Sequence, residues 1–361
     1  MRFSLRGPLG WALAAGVVIA ACGGTGGTTA STAPSTATTA AASSGPRIGS
    51  FDRPVVLAFT PSQQAATIAT NGAAIKAALE KATGLAWKVT AMSSYAAQVE
   101  AMGSGSVDVG FFAPLQMTLV IGKGYGTPIL GALRKDDTGQ LATTYKSQIL
   151  VRTDSGINSI ADLKGKKFAF VDPLSASGYV YPTLAIKNKT GQAPNTFFSS
   201  TTFAGSHPNA ALAVYNKQVD GAAMFIDARD SLVATTPDIK TATRVIDTAG
   251  PIPNDGVALR KGFPDDVGKQ VKDALIAYSK DPAGAKVLSA LFAWDGVQEV
   301  TASFYDAIKE AAALAGVDVQ GLANNTPKHS RATRAETSAR MSRSSINIAA
   351  VNNAKPRWLR R

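Results

Sequence analysis

Two stretches of this chain run through the same order of strand, turn and helix, 112 residues apart. Asp108 in "SVDVGFF" pairs with Asp220 in "QVDGAAMF", and Pro61 in "LAFTPSQ" pairs with Pro173 in "FAFVDPLS". Tyr95 stands thirteen residues before Asp108, and His207 thirteen before Asp220. Any two α/β units coincide somewhere, so the weight lies on three matches sharing one offset; they predict two lobes of like topology. Around them, apolar segments alternate with helical patterns: "VVLAF", a helix over 71–83, "AWKVTAM", a helix over 95–102, then "VDVGFF". The order restarts near "YKSQILVR" with the strand "KFAF", the helix "GYVYPTLAIKN", the strand "NTFFSSTTFA", the helix "NAALAVYNKQ" and the strand "VDGAAMF". This is the pattern of an α/β protein with mostly parallel strands. Two like lobes set their strand ends around a shared cleft, where such sheets bind ligands.

The ends of the chain read differently. Arg2 and Arg6 precede "GWALAAGVVIAA", an apolar run too short for a stable membrane span. It closes on Ile19-Ala20-Ala21-Cys22, which resembles a lipobox, with Cys22 as the lipidated residue; the plainer alternative is a secretory signal with an incidental cysteine. Cys22 is the only cysteine, so no internal disulfide is possible. Residues 23–46, "GGTGGTTASTAPSTATTAAASSGP", are low in charge and lack large apolar groups, so 23–50 reads as a flexible tether, with the folded part beginning near Phe51. From 325 to 361 there are nine Lys and Arg against one acid, so this segment holds eight of the twelve net positive charges. The basic character belongs to the tails and does not mark the middle as a nucleic-acid binder. The 325–361 tail has no apolar period, reads as disordered, and is assigned no function.

Within the middle, "VDPLSASGYVYP" leads from a strand into a helix through Ser175, Ala176, Ser177 and Gly178. A helix start leaves amide N–H groups without partners, hydroxyls add donors, and Gly178 permits close backbone approach, so the turn suits an anion. A simple serine cap is the competing explanation, although two serines are present where one would cap. No Gly-Lys-Ser/Thr follows, so it is not a Walker-type loop. His207 precedes a helix and is either an oxyanion donor or a surface residue. Tyr95 either offers its hydroxyl or packs, and Tyr145 falls where the chain crosses between lobes. Asp227 and Asp255 follow apolar strands and either cap turns or face the cleft to receive a cation. No cysteine pairs or clusters with metal-ligand spacing occur, and no Gly-x-Ser-x-Gly elbow is present, so neither a metal, a cofactor nor a catalytic residue is assigned.

"FVDPLSASGYVYP", "AGSHPNAALAVYNKQVDGAA" and "IPNDGVALRKGFP" resemble signature segments of the phosphate/phosphite/phosphonate-binding proteins of ABC importers, as do "SYAAQVEAMGSGSVDVGFFAP" and "YKSQILVRTDSGINSIADLKGKKFAF". The resemblance runs in order from about Val55 to Leu322. It implies a two-lobed type II periplasmic-binding-protein fold with two hinge strands, closing over one ligand. It also implies that Ser175, the Ala176 backbone, Ser177 and Gly178 grip the oxyanion together with Tyr95, Tyr145 and His207. Asp227 and Asp255 correspond to acids that hold the amino group of aminoalkylphosphonates. Asp227 is one methylene shorter than the usual Glu, Ala176 replaces a threonine, and Phe112 stands where an aromatic hydroxyl sometimes occurs.

The expected organisation is a signal over 1–22 ending at lipidated Cys22 and a tether over 23–50. Lobe 1 is expected from 51–147 plus 252–324, and lobe 2 from 148–251. The expected function is a monomeric, lipid-anchored, extracytoplasmic receptor that hands a phosphorus oxyanion to ABC permease subunits. A sulfonate or sulfate receptor, a ligand-presenting sensor and an extracellular phosphoester enzyme are the alternatives.

Overall fold

The computed structural model describes residues 45–136, 138–319 and 321, and the fold is that of the compact unit beginning at Pro46. The proposed signal, Cys22, most of the tether and the 325–361 tail lie outside the described residues. Packing begins slightly before the expected point. Ile48 is buried in the core, and the Ala86 N–H donates to the Gly49 carbonyl at 2.8 Å, whereas Phe51 is 93% exposed.

The first half runs β1 (Val55–Phe59), α1 (Ala65–Thr83), β2 (Trp87–Thr90), α2 (Tyr95–Gly103), β3 (Val109–Phe112), α3 (Pro114–Gly122), β4 (Gly126–Lys135) and the short β5 (Leu141–Ala142). Helix α1 starts six residues before the sequence expectation, because Ile68 is the only large apolar residue over 65–70 and the helical period is weak there. The chain crosses on β6 (Thr144–Arg152) to β7 (Lys167–Phe170), then enters a wide π-turn, Ala176–Val180, that continues as α4 (Tyr181–Thr190). Next come α5 (Pro194–Phe197), β8 (Ser200–Phe203), α6 (His207–Tyr215), β9 (Gly221–Phe225), α7 (Ile239–Ala242) and β10 (Thr243–Pro253). Within the expected strand "NTFFSSTTFA" only Ser200–Phe203 is extended. Pro194 starts a helical turn that instead sinks Phe197 and Phe198 into the core. The chain returns through β11 (Gly256–Arg260), α8 (Asp265–Lys280), α9 (Pro282–Phe292), β12 (Gly296–Glu299) and α10 (Asp306–Ala315).

These strands form two sheets of matching design. The first has the order β2-β1-β3-β11-β4-β12 and the second β8-β7-β9-β6-β10. In each, three parallel strands are followed by antiparallel ones. The fourth strand of each sheet, β11 or β6, is reached by the chain crossing from the other sheet. This is the two-lobed α/β architecture anticipated from the repeat. Every residue of β3 and β9 is buried, as for strands covered on both faces.

The 112-residue offset is an offset of structural role. Asp108 accepts the Val56 N–H at 3.0 Å and Asp220 accepts the Lys167 N–H at 2.8 Å, each tying the residue before a third strand to the start of a first one. Tyr95 and His207 each open a helix behind a serine cap: Ser94 accepts from the Ala97 N–H at 3.1 Å, and Ser206 from the Asn209 N–H at 3.4 Å. One apolar cluster in the first half stacks Phe111 on Trp294 with ring centroids 5.2 Å apart, and another in the second half stacks Phe168 on Phe198 at 4.4 Å. A third runs through both halves, from Tyr95 and Phe112 to Leu174 and Ala210, and takes the buried face of α10.

Asp108 is buried and also paired with Arg260, whereas Asp220 is only half-buried. Asp108→Ala leaves the Val56 amide without a partner and a largely buried guanidinium without its carboxylate, and should cost about 3–5 kcal/mol of stability. Asp220→Ala should cost about 1 kcal/mol. Urea unfolding of the two variants measures the difference.

Candidate functional site

The ends of β1, β3, β7 and β9 converge on one cavity between the lobes. Its lining includes Thr60, Ser62, Tyr95, Tyr145, Ser175, Ser177, His207, Arg134 and Asp255. It offers about 20 Å³ to the centres of water-sized groups, a space for a compact polar group. The lobes touch beside it: the His207 N–H donates to the Ser62 carbonyl at 3.0 Å, and Gln64 Nε2 to Asn209 Oδ1 at 3.1 Å.

The serine turn divides its tasks. Ser175 Oγ accepts the Gly178 N–H at 3.0 Å, so Ser175 is a helix cap as well as a cavity residue. Ser177 is held from two sides, by the Tyr145 hydroxyl donating to its Oγ at 3.2 Å and by the Ser147 hydroxyl donating to its carbonyl at 2.6 Å. Gly178 has a packing reason beyond anion approach. A Cβ there would lie 2.4 Å from Val171 Cβ and 2.8 Å from Ser175 Oγ. Ala176 is buried at the first position of the turn, where its amide has no carbonyl one turn behind it.

Tyr95 and His207 face the cavity from opposite lobes. The Tyr95 hydroxyl is buried and makes no hydrogen bond. Its helix is anchored from below, because Gln116 Nε2 donates to the Tyr95 carbonyl at 2.8 Å while Thr60 donates to Gln116 Oε1 at 2.6 Å. Burial pushes the Tyr95 and Tyr145 hydroxyls above the usual tyrosine range, so both stay protonated donors. His207 Nδ1 accepts the Phe225 N–H at 3.1 Å, which puts the imidazole proton on Nε2. Burial, helped by the nearby Arg134 cation, pushes its pKa down to about 3, so the ring is neutral.

The structure brings Ser175, Ser177, Tyr95, Tyr145, His207 and Asp255 together in the cavity lining, leaves Ala176 and Gly178 in the same turn but out of that lining, and sets Asp227 apart. Asp227 is 52% exposed, lines an adjoining pocket of about 280 Å³, and lies near Arg229 at 3.5 Å. Arg134 was missed from the sequence. It ends the apolar strand "PILGAL", and its only signal was a charge at the same strand-end level as the other site residues. Arg134 Nη2 donates to Asp255 Oδ2, which also accepts the Trp294 indole N–H at 3.1 Å.

Residues 57–305 match the family of periplasmic substrate-binding proteins of phosphonate ABC transporters. The chain belongs to this family. It is 34% identical over 196 residues to the phosphate-import protein PhnD of Mycolicibacterium smegmatis, a match taking in 53% of this chain and 60% of that one. It is 27% identical over 217 residues to the phosphonates-binding periplasmic protein of Escherichia coli, over 59% and 62% of the two chains. The chain thus spans about three fifths of the length of these relatives. A binding-protein component of an ABC phosphonate transporter from Pseudomonas aeruginosa shares the fold. Its TM-score is 0.66 at 22% identity, over 83% of this chain and 99% of that one.

This family member carries one carboxylate with a raised pKa close to the serine turn. Burial lifts Asp172 from 3.8 to about 6, against the opposing pull of the Leu174 and Tyr95 amides. A raised carboxylate stabilises the fold fully below its unfolded value, and that stability is lost as pH rises through about 6. Asp172→Asn should therefore raise the melting temperature at pH 7 and leave it nearly unchanged at pH 4, by an amount corresponding to about 2–3 kcal/mol. His207 acts in the opposite sense, with stability complete above its unfolded value and lost as pH falls toward about 3. Melting curves of both proteins across pH 4–8 check the sign.

Proposed function

We propose that the protein is the extracytoplasmic solute-binding component of an ABC importer, that it takes a phosphorus oxyanion into the interlobe cavity, and that it delivers this ligand to the permease. One observation carries this reading: Ser175 and Ser177 of the turn, His207 Nε2 and the Tyr95 hydroxyl, with Tyr145 bonded to Ser177 among them, converge from both lobes on one compact cavity. Phosphate import and phosphonate binding, for which the two relatives are named, share that oxyanion chemistry.

Hydroxyl, imidazole and turn amides supply hydrogen bonds to the anion, and the positive end of the helix dipole adds to them. Because the ligand touches both lobes, it binds the closed form better than the open one, and closure follows from that difference. Excluding water strengthens each of these contacts. No bond of the ligand is made or broken, so the protein acts as a receptor and not as an enzyme. Lobe 1 is built on the first sheet, over 46–143 and from 254 onward, and lobe 2 on the second sheet, over 144–253, with Tyr145 at a hinge strand. The chain is monomeric, and Cys22 carries the lipid that holds it at the membrane.

Ser177→Ala and His207→Ala should each weaken phosphate or methylphosphonate binding by about 1–3 kcal/mol, measured by titration calorimetry. Unchanged affinity in both variants would remove the cavity as the binding site. In the expressing cell, Cys22→Ala should move the protein from the membrane fraction to the soluble one. Retention at the membrane would rule out lipidation at that residue.

A further inference from the structure

The cavity contains an ion pair at the position where the family resemblance puts an acceptor for a ligand ammonium. Arg134 is 7% exposed and pairs through Nη2 with Asp255. A guanidinium carries five N–H donors, and those on Nε and Nη1 of Arg134 have no hydrogen-bond partner. The group lies 4.3 Å from the centre of the Tyr145 ring and 5.3 Å from that of Phe225. Tyr145 reaches Ser177 of the serine turn at 3.2 Å, and Phe225 carries the amide that fixes the His207 tautomer. Arg134 therefore packs on the rings of the two residues that bond to Ser177 and to His207.

A buried cation with idle donors is unfavourable unless something accepts from them. An oxyanion held at Ser177 and His207 supplies such acceptors. Asp255 is the other half of the argument. Alone, it would attract a ligand's ammonium; paired with Arg134, its charge is already neutralised, and an incoming ammonium would meet a like charge in a water-poor cavity. Asp227, the second acid that could have helped hold an amine, faces the adjoining pocket.

We propose that Arg134 is a specificity-determining ligand contact: its free Nε and Nη1 groups donate to the bound oxyanion, and its pairing with Asp255 closes the cavity to ligands bearing an amino group. Resting on the oxyanion function proposed above, this names the ligand class as compact phosphorus oxyanions without a cationic tail: inorganic phosphate, phosphite or methylphosphonate.

Titration calorimetry on the full protein compares phosphate, phosphite, methylphosphonate and 2-aminoethylphosphonate. Methylphosphonate should bind at least about 10-fold more tightly than 2-aminoethylphosphonate, the scale of one charge-assisted contact. Arg134→Gln should weaken methylphosphonate about 10- to 100-fold and bring the two affinities within about 3-fold or reverse their order. Because that variant leaves Asp255 unpaired and can unfold, Arg134→Gln/Asp255→Asn is measured beside it with a melting curve. The double variant should lose methylphosphonate to a similar degree and show no preference. Wild-type preference for 2-aminoethylphosphonate overturns the proposal whatever the variants do, and leaves the phosphorus-oxyanion function standing. Unchanged methylphosphonate affinity in a folded variant overturns it too. Binding of sulfate or an alkanesulfonate with none of the four phosphorus ligands removes the parent function and this proposal with it.

Discussion

The cleft depends on the way the chain crosses twice between its two sheets. Asn254, fully buried, joins the two crossings: its N–H donates to the Thr143 carbonyl, and its side-chain amide to the carbonyls of Ala132 and Ala142, each at 3.0 Å. Arg134 on β4, Tyr145 on β6 and Asp255 beside Asn254 therefore take their places from one hydrogen-bonded knot. The antiparallel pairing of β6 with β10, down to Tyr145 opposite Ile252, extends that constraint into the second sheet. A crossing built of paired backbone can bend without losing its partners, which suits the opening and closing proposed for this protein.

The site built on this hinge is polar but almost free of net charge. His207 is neutral, and Arg134 and Asp255 cancel. What remains for a ligand is a set of donors whose geometry is fixed in advance, by the Phe225 amide for the imidazole and by Ser147 for the serine turn. Preorganised donors cost no reorganisation when an anion arrives, and the desolvation they have already undergone makes each one stronger. Asp172 shows the opposing cost, a buried carboxylate that folding holds near the turn despite its raised pKa.

Much of the fold could be read from the chain. The repeat survived as matched roles because Asp108 and Asp220 tie down equivalent strand starts, and Tyr95 and His207 begin equivalent helices. The errors had local causes. The start of α1 was hidden by an alanine-rich first turn, and Pro194 turned an apolar run into a helical one. In the site, the serine turn was visible because small polar residues after a strand are unusual in a buried helix start. Arg134 was not, because one arginine at a strand end looks the same whether it meets water or an aspartate 121 residues away. Asp227 and Asp255 read alike in sequence, yet one is half-exposed beside Arg229 and the other is locked to Arg134 and Trp294.

By itself, the sequence determined the strand and helix order, the doubling of the lobe and the donor-rich turn at Ser175–Gly178, because these follow from local periodicity, capping and spacing. The assembled fold was needed to settle which tautomer His207 holds, that Ser177 is braced by Tyr145 and Ser147, and that Asp255 is paired. Those outcomes depend on groups well separated along the chain, and no local pattern encodes the distance between residues that meet only when the sheets and helices are in place.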